Sequence, residues 1–390
     1  MPDTNFPTHY RMQICLSIAE IGENAWNDLL SLSEASNPFL SYAFLHALEI
    51  SACVGKNQQG HHTGWQVCFL SLWQGDVLHA AMPLYQKLHS YGEYVFDWSW
   101  AEAYQAQGKP YYPKLLSAIP FTPVSGSRLL ARDSTAQIEL IRALRQLTDE
   151  MEFSSAHVLF PAKQELKLLQ DQGFQLRQGI QFHWHNPGYR DFDDFLSRLI
   201  SKKRKNIRAE RRKVHDAGIR FQHKQGHEIS AADWAFFHRC YLQTYTEHHS
   251  HAYLNLSFFL QLAEKVPDNL LLILACLDEK PIAAALYFYD QRTLYGRYWG
   301  CLEHYHSLHF ETAYYQGQEF CIRQGIPLFE GGAQGSHKLA RGFVAELTSS
   351  AHYLPDSRFA AAVGRFLERE QELNKSTMQE FLLHSVYGSE

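Results

Sequence analysis

The residues best suited to chemistry lie in one segment, between positions 293 and 343 of the 390-residue chain. Thr293 to Gly300 alternates like a strand, and His309 and Glu311 follow it at the start of a segment with helical spacing. A strand-like run, Pro327 to Glu330, then enters a glycine-rich segment. Carboxylates and imidazoles transfer protons, and glycines allow close backbone approach, so the pattern predicts a cleft with acid–base groups. Three further cations lie there: His337, Lys338 and Arg341.

This segment does not match the common metal or nucleotide motifs. His304, His306 and His309 form an H-x-H-x-x-H pattern without acidic or cysteine ligands at fixed spacing, in a chain with 22 histidines. The glycines fit neither G-x-x-x-x-G-K-[ST] nor G-x-G-x-x-G, and no G-x-S-x-G nucleophile elbow is present. We therefore expect no metal site and no P-loop or Rossmann nucleotide site.

A strongly basic helix is predicted over Asp191 to Ala217. Between Arg198 and Lys213 there are nine cations against the single Glu210, while the apolar residues gather on one stripe at about 100° per residue. A solvated helix face would mix both charges, because like charges at i,i+4 repel. The alternatives are a solvated face or a site for an anion, such as RNA, a phosphate-bearing cofactor, a lipid head group or an acidic partner. The predicted anion-binding residues are Lys202, Lys203, Arg204, Lys205, Arg208, Arg211 and Arg212.

The elements that position these residues come from a duplicated unit. Two hairpins match, 65–73 with 77–85 and 269–277 with 281–289, and a helical entry precedes each, over 37–49 and 251–264. The turn cluster Asn186-Pro187-Gly188 lies between the two copies. We predict an α/β (α+β) protein of two domains, 1–187 and 188–390, each with a mixed, mostly antiparallel sheet flanked by helices.

Bulk composition indicates a folded chain without a membrane span. The content is 45% hydrophobic and 14% aromatic, and the net charge of −5 gives no global reason for a polyanionic partner. The seven cysteines include no C-x-x-C pair, which is typical of a reducing compartment. The first residues lack a signal-peptide pattern, and the longest clean apolar run is Leu270 to Leu277. We expect a soluble, cytoplasmic protein.

The chain resembles the FemAB-like group of the GNAT acyltransferase superfamily, whose members are often described as peptidoglycan biosynthesis or recognition proteins. The resemblance spans nearly the whole chain and implies a tandem GNAT fold, which agrees with the duplication. Five motifs carry the resemblance, and the last two in the chain are the most specific. They are FTPVSGSRLL at 121–130, KKRKNIRAERRKV at 202–214, GRYWGC at 296–301, HFETAYYQG at 309–317 and FEGGAQGSHKLARGF at 329–343.

The resemblance implies transfer of an acyl group to an amine, such as the amine of a peptide or cell-wall precursor. Relatives of known chemistry use aminoacyl-tRNA as the donor, and ordinary GNAT enzymes use acyl-CoA. The sequence departs from both. The usual GNAT pyrophosphate loop is absent between Gly300 and His309, which argues against acyl-CoA, and the helical hairpin of Fem-type ligases has no counterpart, which argues against tRNA.

For such an acyltransferase, the residue types suggest roles. The base that takes a proton from the amine would be Glu330 or Glu311, with His309 as runner-up because imidazole titrates near neutral pH. Tyr298, or backbone N–H groups near Gly331 and Gly332, would stabilise the oxyanion. Lys338 and Arg341 would bind an anionic donor or cofactor, with Gly331 and Gly332 allowing its close approach to the backbone. Alternatively, Glu330 pairs with Lys338 or Arg341 and is structural.

A non-catalytic alternative also fits the sequence. The chain would then be a recognition module that binds RNA or a cell-wall precursor through its cleft and basic helix. The aromatic run in the N-terminal half could line a groove for a sugar or peptide, but we favour a core role because aromatic residues are mostly buried. These residues are Trp98, Trp100, Tyr104, Tyr111 and Tyr112.

Overall fold

The computed structural model describes residues 10–332, 335–383 and 386–388. The chain divides into two compact units, the first formed by Met1–Gly179 and Leu347–Lys375 and the second by Ile180–Glu346 and Ser376–Glu390. These units differ from the two halves predicted from the sequence, because residues 347–375 belong to the first unit. Sequence similarity between hairpins does not indicate that a late segment returns to an earlier unit.

Fifteen strands are present in the described part of the chain. They are β1 Arg11–Cys15, β2 Trp65–Val67, β3 Phe69–Gln74, β4 Val77–Met82, β5 Tyr85–Lys87, β6 Lys114–Ser117, β7 Leu130–Ala131, β8 Ala156–Leu159, β9 Gln175–His185, β10 Arg220–Gln225, β11 Leu270–Leu277, β12 Lys280–Tyr289, β13 Thr293–Cys301, β14 Leu328–Glu330 and β15 Val344–Tyr353.

Twelve α-helices accompany them over the same residues, and π-helical Glu311–Tyr315 joins two of these without a break. They are α1 Glu23–Ser31, α2 Tyr42–Ile50, α3 Trp98–Ala106, α4 Ser134–Glu150, α5 Lys163–Asp171, α6 Phe192–Ser197, α7 Ser201–Asp216, α8 Ala231–Glu247, α9 Leu256–Lys265, α10 Leu308–Phe310, α11 Gln316–Gln324 and α12 Ser357–Leu383.

The first unit contains a small sheet, β1-β3-β4-β7, and a second row of strands, β15-β8-β6-β5-β2. Only β6 and β8 pair in parallel in the registers observed, and the other strand pairs are antiparallel. The predicted hairpin is present, with Gln74 opposite Val77. Each of its predicted strands is divided in two, however, so that β2 and β5 pair in one sheet and β3 and β4 in the other.

The second unit has the strand order β10-β11-β12-β13-β14-β9. The hairpin of β11 and β12 is antiparallel, as predicted, and β13 and β14 form the parallel pair. On one face the core contains Tyr287, Phe329 and residues of the helical segment 308–324. On the other face, rings of α8 and α9 pack against β13, with Tyr241 and Phe259 both near Tyr298. The site residues therefore lie on a sheet covered by helices on both faces.

The predicted single helix over 191–217 is wrong, because α6 and α7 are separate. Ile200, between them, is extended with φ −59° and ψ 146°. Its N–H donates to the carbonyl of Val386 at 2.9 Å, and Leu199 forms a bridge with Tyr387. A tertiary contact with the C-terminal segment thus replaces the helical hydrogen bonds, and no local sequence pattern reports such a contact.

The aromatic run of the N-terminal half is largely core. Trp100, Tyr104 and Tyr111 are buried in a cluster with Phe359 of α12, which confirms the core interpretation for these three. Trp98 remains 36% exposed. Among the described residues, no helix has both the length and the apolar character needed to cross a bilayer.

Candidate functional site

The parallel strands β13 and β14 separate soon after they meet. They pair only from Thr293 with Leu328 to Tyr295 with Glu330. Strand β13 then continues beside β12 to Cys301, whereas the chain leaves β14 at Gly331. We call the space between the diverging segments the strand opening. Because a separated pair of strands leaves backbone groups unpaired within the sheet, this place suits a bound ligand.

Glu330 lies at the start of the strand opening. It is opposite Tyr295 on β13 and opposite His183 on β9, and paired residues project from the same face of a sheet. Its carboxylate is half-buried and makes no hydrogen bond or ion pair with any residue that the structure describes. Burial raises the pKa of Glu330 to about 8, with the charge of Arg297 opposing and that of Asp290 adding to this shift. Glu330 can therefore exchange a proton near neutral pH.

Tyr298 projects from the same face as Glu330. Tyr295 lies opposite Phe288, and Tyr298 lies opposite Leu286, two residues along β12. Arg297 is the extra residue of a β-bulge between these pairs, because Gly296 opposes Tyr287. The Arg297 guanidinium lies 5.3 Å from the centre of the Tyr298 ring. The sequence analysis missed Arg297, although strand alternation from Tyr295 directs it toward this face; the bulge brings the adjacent Tyr298 to the same face.

His309 belongs to the opposite face. Its ring stacks on Trp299 at 5.1 Å, and Trp299 alternates with Tyr298 along β13. Burial, followed by the charges of His337, Arg341 and Lys338, lowers the pKa of His309 to about 4. The imidazole is thus neutral at pH 7 and a weaker base than Glu330. His309 and Glu330, two of the three predicted bases, lie on different sides of the sheet.

Lys338 and Arg341 lie on the same side as His309 and are already engaged. Lys338 Nζ donates to the carbonyl of Gly332 at 2.8 Å, and burial lowers the pKa of this lysine to about 7. The Arg341 guanidinium lies 3.3 Å from the ring centre of Phe310 and donates to Glu210 at 2.8 Å. The alternative in which Glu330 pairs with either cation is therefore wrong.

Two further residues complete the helix side of the opening. The hydroxyl of Tyr314 and Nε2 of His337 are 2.9 Å apart, and the His337 ring is 6.1 Å from that of His309. Gly331 N–H donates to the carbonyl of Phe182 at 3.4 Å, so this predicted oxyanion donor is already used. Gly332 keeps a positive φ of 87°, which favours glycine.

Glu311 is not part of this group. It is buried, and Arg211 donates to both of its oxygens at 3.0 to 3.2 Å. Gln316 Nε2 donates a further bond at 2.7 Å. Burial raises the pKa of Glu311, and Arg211 opposes that shift. The sequence places Glu311 beside His309, but the structure directs it to the basic helix.

The basic helix is partly occupied by internal contacts. Arg211 also donates to Glu319 at 2.8 Å, Arg208 pairs with Asp193 at 2.8 Å, and Arg204 donates to the Ser197 carbonyl at 3.4 Å. The structure assigns no ion pair within its described residues to the remaining predicted cations. These are Lys202, Lys203, Lys205 and Arg212. The described residues also contain no group of three His, Cys, Asp or Glu that could hold a metal ion.

Comparison with known proteins gives a family and a fold. A family model described as FemAB-like, peptidoglycan biosynthesis/recognition, matches residues 17–388. A structure of FemX is 9% identical with a TM-score of 0.54, covering 88% of this chain and 98% of that one. The C-terminal DUF2156 domain of a protein described as a lysylphosphatidylglycerol synthetase from Agrobacterium fabrum is 10% identical with a TM-score of 0.55, covering 90% and 97%. No curated protein sequence matches the chain.

A third structure, a tandem GNAT protein from the clavulanic acid pathway, is 11% identical with a TM-score of 0.44, covering 88% of this chain and 98% of that one. The predicted fold class is confirmed by the strand pairing and by the family match. Each unit has one parallel strand pair, β6 with β8 in the first and β13 with β14 in the second. Each unit is a mixed, mostly antiparallel sheet flanked by helices.

Proposed function

The chain belongs to the FemAB-like family of peptidoglycan biosynthesis or recognition proteins, and from this premise we propose that it is an N-acyltransferase. The reaction transfers an acyl or aminoacyl group to an amine acceptor, such as a peptide or cell-wall precursor. The observation that carries the proposal is the Glu330 carboxylate at the strand opening, which has no hydrogen bond or ion pair with another described residue and whose pKa is raised to about 8.

The chemistry requires a base of this strength. An alkylamine is an ammonium ion at neutral pH, and its nitrogen cannot attack a carbonyl until it loses a proton. A base with a pKa near the working pH transfers protons most effectively, because it is available in the right form and still binds the proton firmly. Glu330 meets this condition better than His309, whose pKa is lowered to about 4, or Glu311, which Arg211 and Gln316 hold.

The reaction then follows in two steps. Glu330 accepts the ammonium proton, and the nitrogen lone pair forms a bond to the carbonyl carbon, which becomes a tetrahedral oxyanion. The Tyr298 hydroxyl, on the same face, is the proposed donor to that oxyanion. Collapse of the intermediate breaks the bond to the ester oxygen or thioester sulfur. The second proton that the attached nitrogen loses passes to this leaving group, which ends as an alcohol or thiol, and Glu330 returns its proton to solvent.

The donor would approach from the side of Lys338 and Arg341. Aminoacyl-tRNA and acyl-CoA both carry phosphates, so either would gain from cations there. Arg341 is held by Glu210 and Phe310. Lys338 is therefore the cation whose protonation can change when a phosphate binds. A bound anion would favour its charged form and raise its pKa from about 7.

Native mass spectrometry of the purified chain with acyl-CoAs, aminoacyl-tRNAs and amine-bearing cell-wall precursors tests this function. The wild type should convert an acceptor to a mass-shifted product, and Glu330→Gln should lose at least about 100-fold in turnover while donor binding remains. Exposed Glu303→Gln is the matched control and should keep full turnover. An undiminished Glu330→Gln rate would contradict the proposed role.

The recognition module remains a second candidate because the family description includes recognition and because α7 keeps exposed cations such as Lys202 and Lys205. A module would bind a precursor or RNA without forming product. Its binding to RNA would fall steeply with salt, whereas product formation is the signature of the transferase. The same mass-spectrometry experiment separates these outcomes.

A further inference from the structure

A cleft of about 440 Å³ lies at the C-terminal end of the basic helix α7. Its volume falls within the range of about 300–1,000 Å³ that is usual for small-molecule sites. None of its lining residues belongs to β13 or β14, so the cleft is separate from Glu330. It is lined by Arg211, Arg212, His215, Ile219, Arg220, Phe221, Glu311 and Gln316.

The inner wall of this cleft is fixed. Arg211 is held by Glu311 and Glu319 and lies 4.3 Å from the ring centre of Phe192. Gln316 donates to Glu311 at 2.7 Å, and its Oε1 is 2.7 Å from Nε2 of His223. The charges of this wall are therefore largely compensated, and the wall gives the cleft a rigid shape.

The mouth of the cleft carries the guanidinium groups of Arg212 and Arg220, and neither has a carboxylate partner among the described residues. Arg212 is exposed and has no ion pair within the described parts of the chain. Arg220 Nη1 donates to the carbonyls of His215 and Ile219 at 3.4 and 3.1 Å, which anchors the side chain, while its Nε and Nη2 hydrogens have no partner among the described residues. His215 is beside Asp216, at 3.6 Å.

The remaining surface of the cleft is apolar. Ile219 is 2% exposed, and Phe221 is partly buried beside it at the start of β10. The C-terminal end of α7 contributes a partial negative charge of about half a unit, which two guanidinium groups outweigh. Planar guanidinium groups bind phosphate through paired N–H donors, whereas apolar side chains accept a hydrocarbon or ring.

We propose that this cleft binds a phosphate-bearing ligand, with the phosphate on Arg212 and Arg220 and the apolar part of the ligand on Phe221 and Ile219. The site goes beyond the transferase function and does not depend on it. The sequence analysis included Arg211 and Arg212 among its anion-binding residues. It missed His215, near the end of α7, and Arg220, which the turn after α7 brings to the cleft. The ligand is either a free phosphate compound or a phospholipid head group.

Isothermal titration of the full chain with inorganic pyrophosphate, and flotation with phosphatidylglycerol vesicles, test the two sources. Arg212→Gln/Arg220→Gln should weaken one of these interactions at least about ten-fold. Lys163→Gln/Lys280→Gln removes the same charge from exposed positions outside the cleft and outside α7, and it should change the interaction less than about two-fold. Pyrophosphate binding alone indicates a soluble ligand, and vesicle binding alone indicates a head group.

Circular dichroism confirms that each variant folds, and Arg212→Glu replaces the double variant if loss of the Arg220 contacts impairs folding. The proposal is wrong if neither probe binds the wild type. It is equally wrong if the Lys163/Lys280 control weakens binding as much as the cleft variant, because binding would then reflect the general charge of the protein.

Discussion

Glu330 lies directly opposite Tyr295 on the neighbouring parallel strand, and this is the last pair before the two strands diverge. The pairing turns the carboxylate toward the same face as Tyr298 and keeps it beside the charges of Arg297 and Asp290. Burial and the charge of Glu330 both raise the pKa of the Tyr295 hydroxyl, which stays protonated. The neighbourhood of this one pair therefore sets the protonation of the proposed base.

Arg297 should lower the pKa of the proposed base, Glu330. Arg297→Met removes the cation that lowers the pKa of Glu330, so this pKa should rise above about 8. Because the carboxylate is the active form, the rise of kcat/KM with pH should move to higher pH by about half a unit or more. A pH–rate profile measures the shift, with exposed Arg292→Met on the preceding turn as the control. An unchanged or lower midpoint in Arg297→Met would contradict the assignment.

Arg211 should stabilise the second unit through Glu311. Arg211→Ala leaves a buried carboxylate without its bidentate partner and should cost about 3–5 kcal/mol of unfolding free energy. Arg208→Ala breaks only the exposed pair with Asp193 and should have little effect. Urea denaturation of both variants gives the comparison, and similar midpoints for the two would show that the Arg211 pair is not a major contributor.

Lys114 has the corresponding role in the first unit. Its fully buried ammonium donates to Glu93 and Ser90 at 2.8 Å each and also to Asp97. Lys114→Met leaves two buried carboxylates without their main cation and should destabilise the unit by about 3–5 kcal/mol. Lys167→Met, which removes an exposed partner of Asp171, is the control for loss of one positive charge. Equal thermal midpoints for the two variants would contradict this role.

His157 should make the first unit acid-sensitive. Its Nδ1 is 2.7 Å from Nδ1 of His352, and burial, with a smaller effect of Lys114, lowers the pKa of His157 to about 3. The imidazole takes up a proton near pH 6.5 in the unfolded chain but only near pH 3 in the folded chain. The contribution of neutral His157 to the unfolding free energy is therefore complete above pH 6.5 and is lost as the pH falls toward 3. The contribution is up to about 1.4 kcal/mol per pH unit.

The pKa of Glu93, raised to about 7, acts in the opposite direction, so the effect of His157 is isolated by comparison. His157→Gln should lose less unfolding free energy than the wild type between pH 7 and pH 5. Chemical denaturation at several pH values measures both slopes. Parallel slopes would mean that protonation of His157 does not limit acid stability.

The sequence was informative where chemistry follows local spacing. The hairpin of β11 and β12, the strand ending at Glu330 and the helix start at His309 were all predicted from alternation and helical periodicity. Neighbours in sequence diverge in the structure, however. His309 and Glu311 lie two residues apart, yet one stacks on Trp299 and the other binds Arg211.

The remaining features depend on long-range contacts. The break between α6 and α7 arises because Ile200 bonds Val386, and the Glu311 pair joins residues 100 positions apart. The faces of Tyr298 and Trp299 depend on a bulge at Arg297. None of these contacts has a local pattern, so composition and periodicity could identify the candidate residues but could not group them.

The most direct test is the single-turnover rate of acyl transfer to an amine acceptor, measured from pH 6 to pH 9.5 with saturating donor in the wild type and in Glu330→Gln. The wild-type rate should rise about ten-fold per pH unit below a midpoint near 8 and then level off, because the Glu330 carboxylate is the active form. Glu330→Gln should be at least about 100-fold slower and lack that midpoint. A variant with the wild-type rate and the same pH profile would contradict the account of Glu330 as the base.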